Sequence, residues 1–111
     1  MIDKDGTAQI RALNDQLRTT RTGGRVMMTN GIQALGQETV PTILRAIAAF
    51  DAFTPDNDPH QEHDCATLDV EGTKVLWKID YYDVGLNQHS PDPSDPSVTA
   101  RVMTVMLAEE Y

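Results

Sequence analysis

The chain has 111 residues, 40% of them hydrophobic and 23% charged, which suits one domain built around one hydrophobic core. This composition excludes a globally disordered protein, and no apolar run is long enough to cross a bilayer. The N-terminal residues lack the apolar stretch of a secretion signal. Because Cys65 is the only cysteine, an internal disulfide is excluded, and we expect a cytoplasmic protein.

The net charge of −8 is unevenly distributed along the chain. Residues 1–50 carry six basic and four acidic side chains, whereas residues 51–95 carry two lysines and eleven acidic side chains. An acidic half of this kind repels a phosphate backbone, which argues against direct binding of nucleic acid. It would attract cations or a basic protein surface, although a purely solubilising role is an equally good interpretation.

The first part of the chain predicts a helix followed by a short strand. Apolar residues at helical spacing indicate a helix from Thr7 to about Thr20, with Thr7 as its N-cap. Because the apolar stripe is narrow, we expect the segment 1–22 to lie at the periphery of an α+β core formed by residues 23–111. Residues 25–29 then read as a strand that ends in an Asn-Gly turn.

The clearest helix prediction comes next. Pro41 lies in the first turn of this helix, where its missing N–H group costs little. The core-facing stripe has the helical i, i+3, i+4, i+7 spacing, and it consists of Val40, Ile43, Leu44, Ile47 and Phe50.

The middle of the chain predicts a β-hairpin. Its strands, residues 65–70 and 73–82, flank a two-residue turn with glycine second, and such a turn fixes the strand register. In that register Ala66 lies opposite Trp77, and the apolar residues of both strands collect on one face. That face is the one we expect to cover the core.

If the pairing continues beyond the hairpin, His63 lies opposite Asp80. A carboxylate can orient an imidazole for acid–base chemistry, so these two residues are the candidate catalytic pair. A catalytic set also requires a nucleophile or a substrate pocket. We therefore favour a structural pair that fastens the preceding loop to the sheet.

Residues 85–96 are rich in Pro, Asp and Ser and predict a second loop. Asp95 as N-cap and Pro96 as the first helical residue then predict a last helix from Ser97 to about Glu109. The complete prediction is an α+β fold, in which a small antiparallel sheet (a short strand plus the hairpin) packs against two or three helices. The last helix would bury Val98, Val102, Val105 and Met106.

The loop of residues 51–64 reads DAFTPDNDPHQEHD and contains no lysine or arginine. Imidazole and carboxylate groups are common ligands of divalent metals. In an extended segment, however, the side chains of His60 and Glu62 point away from that of His63. Our main expectation is therefore no metal, and the alternative is a metal-dependent enzyme with His60, Glu62, His63 and Asp64 as ligands.

Recognition by charge is the other role suggested for this loop. Because strand 73–82 runs back towards it, the second loop should emerge nearby, and carboxylates from both loops could imitate a row of phosphates. The competing interpretation is that these residues only form turns and caps. The candidate partner-binding residues are Asp56, Asp58, His60, Glu62, Asp83 and Asp92.

Three segments resemble a bacterial family known as domain of unknown function 3768. They read FDAFTPDNDPHQEHD, VLWKIDYYD and SPDPSDPSVTARVMTVMLAEEY, and the resemblance covers roughly residues 24–111. The family pattern usually has Phe-Gly where this chain has Cys65-Ala66, so Cys65 is not expected to be a shared nucleophile. The resemblance implies no activity, cofactor or catalytic residue, but it suggests a small cytosolic protein of plasmids and other mobile DNA.

The leading hypothesis is therefore a non-enzymatic module that binds a basic protein surface. One version is an inhibitor of a host CRISPR or restriction complex that acts as a partial DNA mimic. The alternatives are the metal-dependent enzyme and a housekeeping interaction module.

Overall fold

A computed structural model describes residues 6–111 and shows an α+β fold with one four-stranded mixed sheet, which confirms the predicted fold class. Residues 1–5 of the predicted N-terminal segment lie outside the described residues. The elements are α1 (Thr7–Thr20), β1 (Arg25–Met28), α2 (Asn30–Gln33), α3 (Thr39–Ala49), β2 (Cys65–Val70), β3 (Thr73–Tyr82) and β4 (Ala100–Leu107). The strand order is β1-β4-β3-β2.

The hairpin formed by β2 and β3 has the predicted register, with Ala66 opposite Trp77. Glu71 and Gly72 both have positive φ angles, of 52° and 84°, as a primed two-residue turn requires. Trp77 is fully buried in the core. The prediction succeeded because turn geometry and side-chain alternation are both local properties of the sequence.

Strand β4 stands where the sequence predicts the last helix, and that prediction is wrong. β4 pairs antiparallel with β3 and parallel with β1, so the sheet is mixed rather than wholly antiparallel. Its buried residues Arg101, Met103 and Val105 alternate as a strand requires. An arginine at a core position conceals that alternation from a reading based on apolar residues.

The cap predicted at Asp95 exists but begins a shorter element. The Asp95 carboxylate accepts a hydrogen bond of 2.9 Å from the Ser97 N–H group, which starts the single 3₁₀ turn Pro96–Val98. After this turn the chain continues into β4, which pairs with β1 on one side and β3 on the other.

Helix α1 has the predicted length, but two details of the prediction are wrong. The N-cap is Gly6, whose φ of 77° lies in the left-handed region, rather than Thr7. The helix is also not peripheral, because Leu17, Asn14 and Arg18 are buried against the rest of the fold. Its inner stripe is therefore wider than the apolar residues alone indicate.

The Asn-Gly step after β1 is a further correction. Instead of forming a turn, it opens the short helix α2, whose N-cap Thr29 accepts a hydrogen bond from the Ile32 N–H group. Ile32 is then fully buried, so this helix contributes to the core.

The helices cover one face of the sheet, and the core lies between them. Helix α3 presents the predicted stripe, with Ile43 and Ile47 fully buried and its other members partly buried. The strands contribute alternate residues to the same core, among them Val75, Trp77, Met103 and Val105. No helix within residues 6–111 combines the length and the apolar character needed to cross a membrane.

Replacing Met103 by alanine tests the reassignment of β4. Met103 is fully buried, so Met103→Ala should lower the free energy of unfolding by about 2–4 kcal/mol. The matched control is Val102→Ala, since Val102 is only partly buried and should cost about 1 kcal/mol or less. Urea denaturation gives both values. A larger loss at Val102 than at Met103 would favour the helix over the strand.

Candidate functional site

The loop of residues 51–64 is held in shape by its own hydrogen bonds. The Asn57 side chain accepts from the Thr54 N–H group at 2.7 Å and donates to the Ala52 carbonyl at 2.9 Å. Gln61 and His63 have φ angles of 59° and 53°, so the chain bends sharply at two non-glycine residues. The segment is therefore not extended.

His63 lies between two carboxylates. Its Nδ1 atom is 2.9 Å from an oxygen of Asp15 in α1, and its Nε2 atom is 3.6 Å from an oxygen of Asp58. The imidazole also stacks on Phe53, with 3.7 Å between ring centroids and 4° between ring planes. The Asp58 carboxylate in addition accepts the His63 N–H group at 3.1 Å. These contacts fasten the loop to α1.

The predicted opposition of His63 and Asp80 is wrong. The hairpin ladder ends at Cys65 and Lys78, and the last bond on this side runs from the Ile79 N–H group to the Asp64 carbonyl. The left-handed conformation of His63 then turns its ring towards the helices. Asp80 forms an ion pair with Lys78 instead. The role favoured for the pair, fastening the loop to the sheet, is therefore not seen, and His63 contacts Asp15 of α1 and Asp58 instead.

A second set of contacts buries an arginine beside the loop. Arg101, only 1% exposed, donates from Nε to the Asn14 side-chain oxygen at 2.7 Å and from its guanidinium to the Pro93 carbonyl. Asn14 donates to the Tyr81 hydroxyl at 2.7 Å and to the Glu62 carbonyl at 2.9 Å. The Tyr81 hydroxyl donates to the Glu62 carboxylate at 2.7 Å. This network joins α1, β3, β4 and both loops.

Burial sets the proton affinities within this network. Burial and the hydrogen bond to Glu62 raise the pKa of Tyr81, so its phenol remains a donor. Burial lowers the pKa of Arg101, which remains charged at neutral pH because an arginine starts so high. Nearby, burial raises the pKa of Asp64, and the negative charges of Glu62 and Asp58 raise it further.

Arg18 is a second buried arginine on α1. It donates to the Ile47 and Phe50 carbonyls at 3.0 and 2.7 Å, at the C-terminal end of α3, and it pairs with Asp15 at 2.7 Å. Its guanidinium lies 5.2 Å from the ring centroid of Phe53, a distance typical of a cation–π contact. Arg18 therefore binds α1 to α3 and to the loop.

Sequence reasoning missed these helix residues, although a signal was present. Asn14 lies four residues after Ile10 and three before Leu17, so it occupies a core position of the helical stripe. A polar residue at such a position requires buried partners. The partner Arg101 could not be identified in advance, because its strand was predicted as a helix.

The alternative metal ligands do not converge on one point. His60 is exposed, whereas Glu62 contacts Tyr81 and His63 contacts Asp15. Within residues 6–111, no three His, Cys, Asp or Glu side chains are grouped so that they could hold a metal ion.

The predicted partner-binding residues divide into inward and outward sets. Asp58 is only 5% exposed, so it does not face a partner as expected, and the half-buried Glu62 carboxylate accepts a hydrogen bond from Tyr81. Asp83 is half-buried and accepts from the Asn87 N–H group at 2.9 Å. The exposed members are Asp56, His60 and Asp92, the last of which also accepts hydrogen bonds from Ser94.

The two loops approach each other as predicted. A pocket of about 420 Å³ is lined both by Asp64, at the end of the first loop, and by residues 87–89 of the second. Its lining includes Asp64, Asp80 and His89. The pocket is acidic, and it opens where the hairpin ends.

A family model described as "Protein of unknown function (DUF3768)" matches residues 28–110. The chain belongs to this family. The resemblance found in the sequence is thereby confirmed, and the family description names no activity. No curated protein and no solved structure among those compared matches the chain. The DUF3768 match includes His63, Tyr81 and Arg101, but it leaves out α1, which supplies their partners Asp15 and Asn14.

Replacing Asn14 by alanine tests the buried network. The change removes the acceptor of the Arg101 Nε–H group and the donor to the Tyr81 hydroxyl, so the free energy of unfolding should fall by about 2–4 kcal/mol. Gln16→Ala is the matched control, since Gln16 is exposed on the same helix. Equal urea midpoints for the two variants would contradict a central role of the network.

Replacing His63 by alanine tests the attachment of the loop. The variant loses both carboxylate contacts and the stacking on Phe53, which should cost about 1–3 kcal/mol and speed amide hydrogen exchange in residues 51–64. His60→Ala, at an exposed position, should change neither quantity. Hydrogen exchange measured by mass spectrometry distinguishes an attached loop from a free one. A free loop would exchange equally fast in the unmodified protein, in His63→Ala and in His60→Ala.

Proposed function

We propose that this protein is a binding module whose exposed carboxylates occupy a basic surface on a partner protein. The observation that carries the proposal is the charge of residues 51–95, which comprises eleven acidic side chains and two lysines. Such a field attracts a basic surface over a distance and speeds its association.

The structure of the first loop supports this proposal. Asp51 and Asp56 are exposed. The backbone around them is held by the hydrogen bonds of the Asn57 side chain and by the contacts of His63 with Asp15 and Asp58. A loop that is ordered before binding loses less conformational entropy when it meets a partner. The inward carboxylates hold the loop in shape, and the outward ones remain available for contact.

A more specific version is inhibition of a host CRISPR or restriction complex in the cytoplasm by partial DNA mimicry. Such complexes grip nucleic acid through basic channels, and a row of carboxylates can take the place of phosphates there. The resemblance to proteins of mobile DNA favours this version, because such elements benefit from blocking a defence. A housekeeping module with the same acidic surface would bind a basic protein without competing with nucleic acid.

Neutralising the loop tests the proposal. Asp51→Asn combined with Asp56→Asn should weaken binding to a basic partner about tenfold at low salt and reduce the dependence of Kd on NaCl concentration. The matched control combines Asp69→Asn with Glu71→Gln, which removes the same charge at the far end of the hairpin. The partner comes from a pull-down, and titration calorimetry at several salt concentrations gives the affinities.

Two results would count against the proposal. Binding that does not change with NaCl concentration excludes recognition by charge. Equal weakening by the loop variant and by the hairpin control shows that only net charge matters. Competition by duplex DNA for the same partner separates the mimic from the housekeeping module, since only the mimic is displaced.

A further inference from the structure

Five large hydrophobic side chains are exposed within residues 6–111, and three of them lie close together in sequence, one at the end of β3 and two in the turn that follows it. Tyr82, Val84 and Leu86 are 37%, 71% and 42% exposed. Single exposed hydrophobic residues are ordinary on a protein surface, whereas a concentration of them marks a candidate contact region. We call residues 82–89 the apolar turn.

The apolar turn is closed by hydrogen bonds and presents these side chains in a fixed form. The Asp83 N–H group donates to the Gln88 carbonyl at 2.8 Å, and the Leu86 N–H group donates to the Asp83 carbonyl at 2.9 Å. Leu86 has a φ of 60°, which is a strained conformation for a leucine. Glycine or asparagine adopts this backbone conformation with less strain, so the exposed leucine costs conformational free energy.

The surroundings of the apolar turn are acidic. Asp83 lies within the turn, and the adjoining pocket is lined by Asp64 and Asp80. A second copy of this chain would bring like charges together at the turn, which disfavours self-association. A protein segment with an apolar stripe bordered by lysines or arginines is complementary in both polarity and charge.

We propose that the apolar turn is a hydrophobic anchor for an amphipathic basic segment of the partner. Val84 and Leu86 contact the apolar stripe, while Asp64 and Asp83 face its basic border. This inference rests on the proposed function and adds a component of binding that salt does not screen. Burying apolar side chains in an interface adds affinity in proportion to the apolar area removed from water.

The test uses two synthetic helical peptides of equal positive charge, one composed of leucine and lysine and the other of glutamine and lysine. The 111-residue protein should bind the leucine peptide about tenfold more tightly than the glutamine peptide in 0.5 M NaCl. Val84→Ser combined with Leu86→Asn should abolish this preference, because both exposed apolar side chains are removed. Asparagine is chosen at position 86 because it tolerates the left-handed conformation. Met27→Ser, at an exposed position on the edge strand β1, is the matched control and should keep the preference.

The outcomes separate this inference from the proposed function. The anchor is overturned if the protein binds both peptides equally or if the turn variant retains the preference. The proposed function fails instead if, at low salt, the Asp51/Asp56 variant and the unmodified protein bind the glutamine peptide with the same affinity. A dimer that the turn variant dissociates, measured by light scattering, would assign the turn to self-association and overturn the anchor. Leu86→Asn alone replaces the double variant if circular dichroism shows that the latter does not fold.

Discussion

Arg101 carries a charge in the interior of the fold, and that burial is tolerable only if its donors meet acceptors. Asn14 accepts from its Nε–H group and Pro93 from its guanidinium, and the guanidinium carbon lies 5.1 Å from the Tyr81 ring centroid. Each partner comes from a different part of the chain. Satisfying one arginine therefore fixes α1, β3 and the second loop relative to β4.

The same requirement extends outward to the surface that we propose binds a partner. Asn14, held by Arg101, donates in turn to the Glu62 carbonyl, and Asp15 beside it contacts His63. The acidic loop is thus ordered by these contacts to α1 as well as by its own hydrogen bonds. The elements that carry the exposed carboxylates and the apolar turn are held together by the buried hydrogen bonds of Arg101, Asn14 and Tyr81.

Much of the fold could be predicted wherever local pattern decides structure. The hairpin and α3 follow from alternation, turn chemistry and helical spacing, so their register and inner faces were predicted correctly. Strand β4 could not be predicted in this way, because Arg101 interrupts its alternation and its valines also fit helical spacing. The pairing of His63 failed for another reason, since a left-handed residue ends the ladder where an extended chain was assumed.

The sequence by itself determined the concentration of negative charge in residues 51–95, the hairpin and the family to which the chain belongs. Only the tertiary structure decided which carboxylates face inward. Asp58 and Glu62 turn in because the His63 N–H group and the Tyr81 hydroxyl are donors that need acceptors. Asp56, by contrast, is exposed. The left-handed conformations of Gln61 and His63 and the position of Tyr81 on β3 make that choice, and a linear pattern does not contain them.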